Sequence, residues 1–414
     1  MRAVLINHCH PERAHICAVR MREFARALSA RGHRIVLLTE TLNRDDSGVD
    51  LQSLEERLAH HDWRTPFLLA CPPRPATFLP QVRDGQIPRI LRAPLIAWHY
   101  LRHGGMFRDW QLGVEPYLPT LARLFRPQVI WGTLGNTDTW KLARSLAALA
   151  GCPWVRDVKD LWMAPRILRP FIRFRFTDAA ATTALAAARL DGWNDIEHPH
   201  DVIRSGVPSA WLNATPPTGT TATDRLTIAL TGSIYDSTAL RAIVAGMVTW
   251  LQRRPEVSIT LHYAGDEAAR VADAVSGASA RLRLELPGYL ASDALFALTC
   301  RADINLYVRG PAGLFHHKLL ELLVARRPIL CLPVETEEAT QLASDHGGIL
   351  LSCADASAVD MALERIWTGT VPRLVQRIPA LDDLAWDAQA KRLEELFRRI
   401  GVDTASDAPR PEFA

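Results

Sequence analysis

Cysteine is scarce and scattered, with seven residues in 414, at positions 9, 17, 71, 152, 300, 331 and 353. No even framework of close pairs is present, which excludes a secreted disulfide scaffold and fits reduced thiols in a cytosolic protein. Long hydrophobic runs are missing too. The nearest thing to the ~20 apolar residues of a membrane span is the Ala-rich AAATTALAAA at 179–188, which is far too short. The apolar run in the opening MRAVLIN is too short for a signal-peptide core, so the expected location is cytoplasmic. Charge of one sign is not in excess: 48 Lys and Arg against 45 Asp and Glu leave +3. That excludes bulk nucleic-acid binding. With 48% hydrophobic and 22% charged residues, a chain of this length has the profile of a globular protein of two domains.

What is present alternates. RAVLIN (2–7) is a short apolar run, followed by CAVRMREFARALSARGH, in which Cys17, Met21, Phe24 and Leu28 recur on one helical face and Gly32 stops the helix. RIVLLT (34–39) then reads as a second strand. Strand, helix and strand in 40 residues make a βαβ unit, and such units imply a parallel sheet. QVIWGT (128–133), the helix-like TDTWKLARSLAALAG, CPWVRDV (152–158), DAAATTA and DVIRSGV continue the first half. NATPPTGTTATD (213–224) has almost no large apolar residue and reads as an exposed linker. The alternation then restarts with LTIALTGS (226–233), VSITLHYAGDE (257–267), RLRLELPGY (281–289), ADINLYV (302–308), PILCLPV (328–334) and GGILLS (347–352). The predicted architecture is α/β, with two Rossmann-like doubly wound lobes facing a central cleft. The lobes are expected at 1–212 and 225–380, joined by the linker 213–224. A C-terminal crossover helix at 381–401 packs back towards the first lobe, and 402–414 form a disordered tail.

NHCHPERAHIC, residues 7–17, gathers His8, Cys9, His10, His15 and Cys17, all of them metal-ligand types. Their spacing matches no common zinc pattern. The segment is better read as the loop after the first strand, lining the cleft where ligands of doubly wound sheets bind.

NHCHPERAHICAVRMREFARALSARGHRIVLLT, VIWGTLGNTDTWKLA, CPWVRDVKDLW, TGSIYD, YAGDE and FHHKLLELLVARRPIL occur in an order that resembles nucleotide-sugar glycosyltransferases of the GT-B fold, similar to glycosyltransferase family 4. The resemblance runs from the first strand to the closing AWDAQAKRLEELF, and no single motif in it is highly specific. It implies that Lys318 meets the donor's diphosphate and Glu321 the ribose hydroxyls. Three residues apart, the two share a helix face, a spacing that also suits a plain surface ion pair. In TGSIYDS, Gly232 lets backbone N–H groups approach a phosphate and Ser233 adds a hydroxyl, though an ordinary turn reads the same. The resemblance further implies that YVRGPAGLF (307–315) brings Arg309, Gly310 and Gly313 to the donor and that GYLASDA (288–294) puts Tyr289 and Leu290 by the base.

In the first lobe, RDVKDLW offers Asp157, Lys159 and Asp160, with His10, as candidate catalytic groups. An ion-pair cluster bracing that loop is the alternative. Glu12, Arg13, Arg20, Asn136 and Asp138 are candidates for the acceptor or sugar. Lys159 stands where the resembling pattern has arginine. The loop after the first strand, ERAHICA, lacks the family's usual glycines. The position eight before Glu321 is Gly313, where many members carry a second glutamate.

The resemblance implies a retaining transferase that needs no metal and no cofactor beyond its donor substrate. It would move a sugar to a glycan or lipid-linked glycan in cell-envelope polysaccharide or glycoconjugate biosynthesis. An epimerase of the same fold and a catalytically degenerate nucleotide-binding scaffold are the alternatives. RILRAPLIAWHYLRHGGMFRDW (89–110) and APRILRPFIRFRF (164–176) interleave arginine with large apolar residues. That pattern suits peripheral contact with the inner face of a membrane, and equally suits arginines snorkelling off a core.

Overall fold

Short apolar runs alternating with amphipathic helices bury both faces of a parallel sheet, and two such sheets form. The computed structural model describes residues 1–13, 15–43, 46–134, 137–159, 176–190, 198–214, 217, 224–310, 318–375 and 381–404. The chain divides into two compact units, one of Met1–Ser205 with Trp386–Ala414 and the other of Gly206–Ala385.

The first unit holds seven strands: β1 (Arg2–Ile6), β2 (Arg34–Glu40), β3 (Phe67–Cys71), β4 (Val129–Thr133), β5 (Trp154–Val158), β6 (Ala181–Ala184) and β7 (His200–Val202). They lie in the order β3-β2-β1-β4-β5-β6-β7, all parallel. The chain builds outward from β1 to one edge, then restarts at β4 and builds to the other. The Ala-rich stretch at 179–188 supplies β6, whose small side chains are buried throughout.

One face of this sheet is covered by helices including Leu118–Phe125 and Thr137–Ala150. The other is covered by Ile16–Ala30 and Trp386–Arg399. The predicted stripe Cys17, Met21, Phe24 and Leu28 is buried. Phe24 meets Trp131 and Trp386 edge-on, at 5.0 and 5.5 Å between centroids. Arg31 fixes the closing helix from outside, its Nε 2.9 Å from Glu394. The C-terminal helix thus completes the first unit.

The second unit repeats the plan with β8 (Arg225–Thr231), β9 (Ser258–Ala264), β10 (Leu282–Glu285), β11 (Ile304–Val308), β12 (Ile329–Leu332) and β13 (Leu350–Ser352). Their order is β10-β9-β8-β11-β12-β13, again all parallel. The short helix Ser209–Leu212, expected in the first lobe, belongs to this unit. Trp211 stacks on Phe296 at 4.6 Å and donates from Nε1 to Asp293 at 3.2 Å, which holds it there. Most of the expected linker and tail lies outside the described residues. No helix among the described residues is long and apolar enough to cross a membrane.

Phe397 is fully buried between the closing helix and the sheet. Phe397→Ala is expected to cost about 3–5 kcal/mol, the usual range for a buried aromatic truncated to alanine. Urea unfolding of the two proteins side by side measures it, and an unchanged midpoint would contradict this packing.

Candidate functional site

Strand order reverses between β1 and β4 in the first sheet and between β8 and β11 in the second. Ligands of doubly wound sheets bind beyond the strand ends at such points.

At the first, the histidine cluster after β1 is spread over local structural tasks. Asn7 donates from Nδ2 to the carbonyls of Cys9 and Cys17 at 3.2 and 3.1 Å, pinning the loop to the following helix. His10 Nδ1 accepts from the Glu12 N–H at 3.3 Å and closes a turn. His15 caps the helix, its Nδ1 accepting from the Cys17 N–H at 3.2 Å. His8 stacks on Phe107 with ring centroids 3.9 Å apart. Among the described residues, no three His, Cys, Asp or Glu side chains converge as a metal site would require. Glu12 and Arg13 are exposed, and Arg13 donates to the Leu42 carbonyl at 3.0 Å.

Three other candidates are enclosed. Arg20 and Asp157 are fully buried and pair at 3.1 Å. Asp157 also accepts from Thr133 at 2.7 Å and Thr183 at 2.8 Å, while Arg20 reaches the Ile203 carbonyl at 2.9 Å. This is a brace within the unit, and neither side chain offers a surface to an acceptor. Asp138 is buried as well. It accepts from the Phe107 N–H at 2.7 Å and from Lys141 at 2.9 Å. A Cβ on Gly105 would overlap its carboxylate, so glycine is required there. Asp138 therefore shapes the loop that lays Phe107 over His8. Asp160 and Asn136 fall outside the described residues.

Lys159, just past the end of β5, is buried and donates to Cys17 Sγ. Burial first, and then the positive charge of Lys159, push the His8 pKa down to about 3. His8 stays neutral at physiological pH, and its Nδ1 meets no hydrogen-bond partner among the described residues. Burial also lowers His10 and raises the Cys9 thiol.

At the second reversal the predicted donor residues gather more openly. Gly232 follows β8 with φ +91°, a backbone that favours glycine. A Cβ there would lie 3.4 Å from Lys318 Cε. Lys318 and Glu321, on the helix Lys318–Val324, pair at 2.5 Å and keep 13% and 22% exposure. Ser233, next to Gly232 in sequence, is exposed. Gly310 follows β11 and approaches Tyr235. Arg309 is turned towards the end of β12, 3.6 Å from buried Glu335 and bonded to the Val334 carbonyl. Tyr289 and Leu290 lie beyond edge strand β10, with Tyr289 66% exposed, two strands from the reversal. Gly313 falls outside the described residues.

Glu267 and Arg270 were not singled out from the sequence, although YAGDE was visible. Glu267 accepts the Ile234 N–H, and Arg270 donates to the Ile234 carbonyl and pairs with Glu267 at 2.9 Å. Tyr263 donates to the Gly232 carbonyl at 3.0 Å and accepts from the Glu267 N–H at 3.1 Å. The turn after β8 is thus fixed from the β9 side before any ligand arrives.

No family model and no curated protein matches the sequence. Solved structures do match. A glycosyltransferase of Rickettsia africae aligns at TM-score 0.60 and 10% identity, over 98% of this chain and 99% of that one. A UDP-forming α,α-trehalose-phosphate synthase of Burkholderia xenovorans aligns at TM-score 0.60 and 13% identity, over 98% and 99%. A Listeria monocytogenes protein described as a UDP-N-acetylglucosamine 2-epimerase aligns at TM-score 0.58 and 12% identity, over 98% of each. The chain has the GT-B fold. At such identities the likeness is one of fold, and the activity has to be argued from the side chains.

Two outcomes follow from this geometry. Asp157→Asn leaves Arg20 buried without its counter-charge and should cost about 3–5 kcal/mol in urea unfolding; a cost near zero would contradict the pairing. His8 binds its proton in the unfolded chain near its ordinary value of 6.5, but in the folded chain only near 3. Its contribution is therefore complete above about pH 6.5 and is lost as pH falls towards 3, at no more than about 1.4 kcal/mol per pH unit. His8→Gln should flatten the stability–pH curve in that window, and an unchanged slope would contradict the burial.

Proposed function

We propose that the protein is a nucleotide-sugar-dependent glycosyltransferase whose second unit holds the donor. The observation that carries this reading is the meeting of Gly232, Lys318 and Glu321 at the strand-order reversal of the second sheet. A left-handed glycine carries no Cβ to bar a phosphate, an ammonium stands beside it, and a carboxylate one helical turn on can accept from two ribose hydroxyls. Donor binding exchanges the Lys318–Glu321 contact for contacts to diphosphate and ribose. Positive charge at Lys318 stabilises the departing diphosphate, so the step needs no metal and no further cofactor.

The reaction is read as retaining, as the resemblance implies, with the leaving phosphate taking the acceptor's proton. Lys159 and neutral His8 stand at the first unit's reversal, where they would face the acceptor, a glycan or lipid-linked glycan of cell-envelope biosynthesis. The protein would work in the cytoplasm at the inner face of the membrane. Epimerisation of a nucleotide sugar is the second reading, favoured by the near-equal likeness to the Listeria protein. Product analysis separates the two, because an epimerase changes the sugar without consuming an acceptor.

The test is thermal unfolding with UDP, GDP, dTDP and ADP in turn, on wild type and Glu321→Ala. A nucleotide at a hundred times its dissociation constant adds about 2.7 kcal/mol. One nucleotide should stabilise the wild type and lose most of that effect in the variant. Stabilisation by none of the four would overturn the donor site. A nucleotide that binds without turnover of its sugar conjugate would favour a degenerate scaffold.

A further inference from the structure

The helix Arg89–His103 carries its apolar stripe on the wrong side for a core. On a globular surface such a stripe turns inward. Here Ile90, Trp98 and Leu101, spaced along one face with Pro94 between them, are 85%, 50% and 59% exposed, and Leu91 beside them is 50% exposed. His99 is the residue of this helix that is buried, and it meets Phe78 edge-on at 5.6 Å, the same ring that the half-exposed Trp98 borders at 6.1 Å. Arg92 ties the helix to the preceding turn, donating from Nε to the Ile87 carbonyl at 2.8 Å. The helix is therefore held from behind and presents its large apolar residues outward, an arrangement that marks an interaction surface.

Charge decides what the surface meets. Between Asp84 and Asp109 there is no acidic residue, while the same stretch contains four arginines. Arg89 and Arg102 are exposed at the borders of the stripe, and the Arg102 guanidinium lies 5.4 Å from the Trp98 ring centroid. Protruding aliphatic side chains, an interfacial tryptophan and flanking arginines, in a stretch with no acidic residue of its own, complement a surface that is apolar beneath and negative on top. We infer that this helix docks in the plane of an anionic lipid bilayer, with Ile90, Leu91, Trp98 and Leu101 sunk among the acyl chains and Arg89 and Arg102 at the headgroups. Its fifteen residues span about 22 Å, enough to lie along a membrane surface. The docking follows from the helix itself. The clause that it brings the chain to a lipid-linked acceptor rests on the glycosyl-transfer reading.

The experiment is co-sedimentation of the full chain with vesicles of phosphatidylcholine alone and of phosphatidylcholine mixed equally with phosphatidylglycerol. Wild type should bind the anionic vesicles, release with salt, and bind the neutral ones far less. Ile90→Asp with Leu101→Asp, both exposed positions, should lower anionic binding about tenfold or more while melting temperature and nucleotide-induced stabilisation stay as in wild type. Three results would overturn the inference: no wild-type binding, binding unchanged in the double variant, or equal binding to neutral vesicles. A fourth is a self-associated wild type that the variant dissociates without any vesicle binding, which would assign the face to a second copy of the chain. Glu321→Ala should sediment like wild type, so failure of the donor site and failure of the membrane surface are read separately.

Discussion

A charge pair taken out of water holds the first unit in register. Arg20 and Asp157 stand 137 residues apart in sequence and meet with essentially no exposure. Such a pair is costly to bury, and hydrogen bonds to its remaining polar atoms offset part of that cost. Thr133, Thr183 and the Ile203 carbonyl supply three, while Arg20 Nε and Nη1 meet no hydrogen-bond partner among the described residues and the Phe24 and Trp131 rings flank the guanidinium at 4.8 and 5.4 Å. These partners come from the first helix, β4, β5, β6 and the exit of β7, so one network sets where the sheet's strands end. Lys159, two residues past Asp157, takes its place beside the β1 loop from that network. The setting of His8 follows in turn.

The two strand-order reversals are furnished differently. The loop after β1 has no glycine, and bulky groups fill the space that a backbone would need to approach a ligand: a histidine under a phenylalanine ring, and a lysine against a thiol. The turn after β8 has the left-handed glycine and a solvent-touched ion pair. The second reversal leaves room for close backbone approach beside a partly exposed ammonium, and the first does not.

Most of the architecture was legible because parallel strands buried on both faces read as short apolar runs. RAVLIN, RIVLLT, LTIALTGS and PILCLPV each gave a strand, and the terminal helix was placed correctly against the first unit. β3 was overlooked, although FLLAC between prolines was its signal. The geometry of the candidate site is legible where it is local: Lys318 and Glu321 are one turn apart, and Gly232 announces a turn. It was illegible where partners are distant. Nothing in Arg20, Asp157 or Asp138 taken singly says that each is spent inside the fold, because that depends on which strand ends lie together. The histidine cluster, read from its spacing as the loop after the first strand, is divided among a cap, a turn and a ring stack.

The closing helix Trp386–Arg399 has a consequence for how the molecule comes into being. Residues Met1–Ser205 are made before the second unit, yet the face formed by Phe24, Trp131 and Val155 stays uncovered until Trp386, Leu393 and Phe397 have left the ribosome. The second unit, a continuous stretch from Gly206 to Ala385, has no such wait. Of the two units the one begun earlier is finished later, and a chain ending at Ala385 would carry a complete second unit and a first with an open apolar flank.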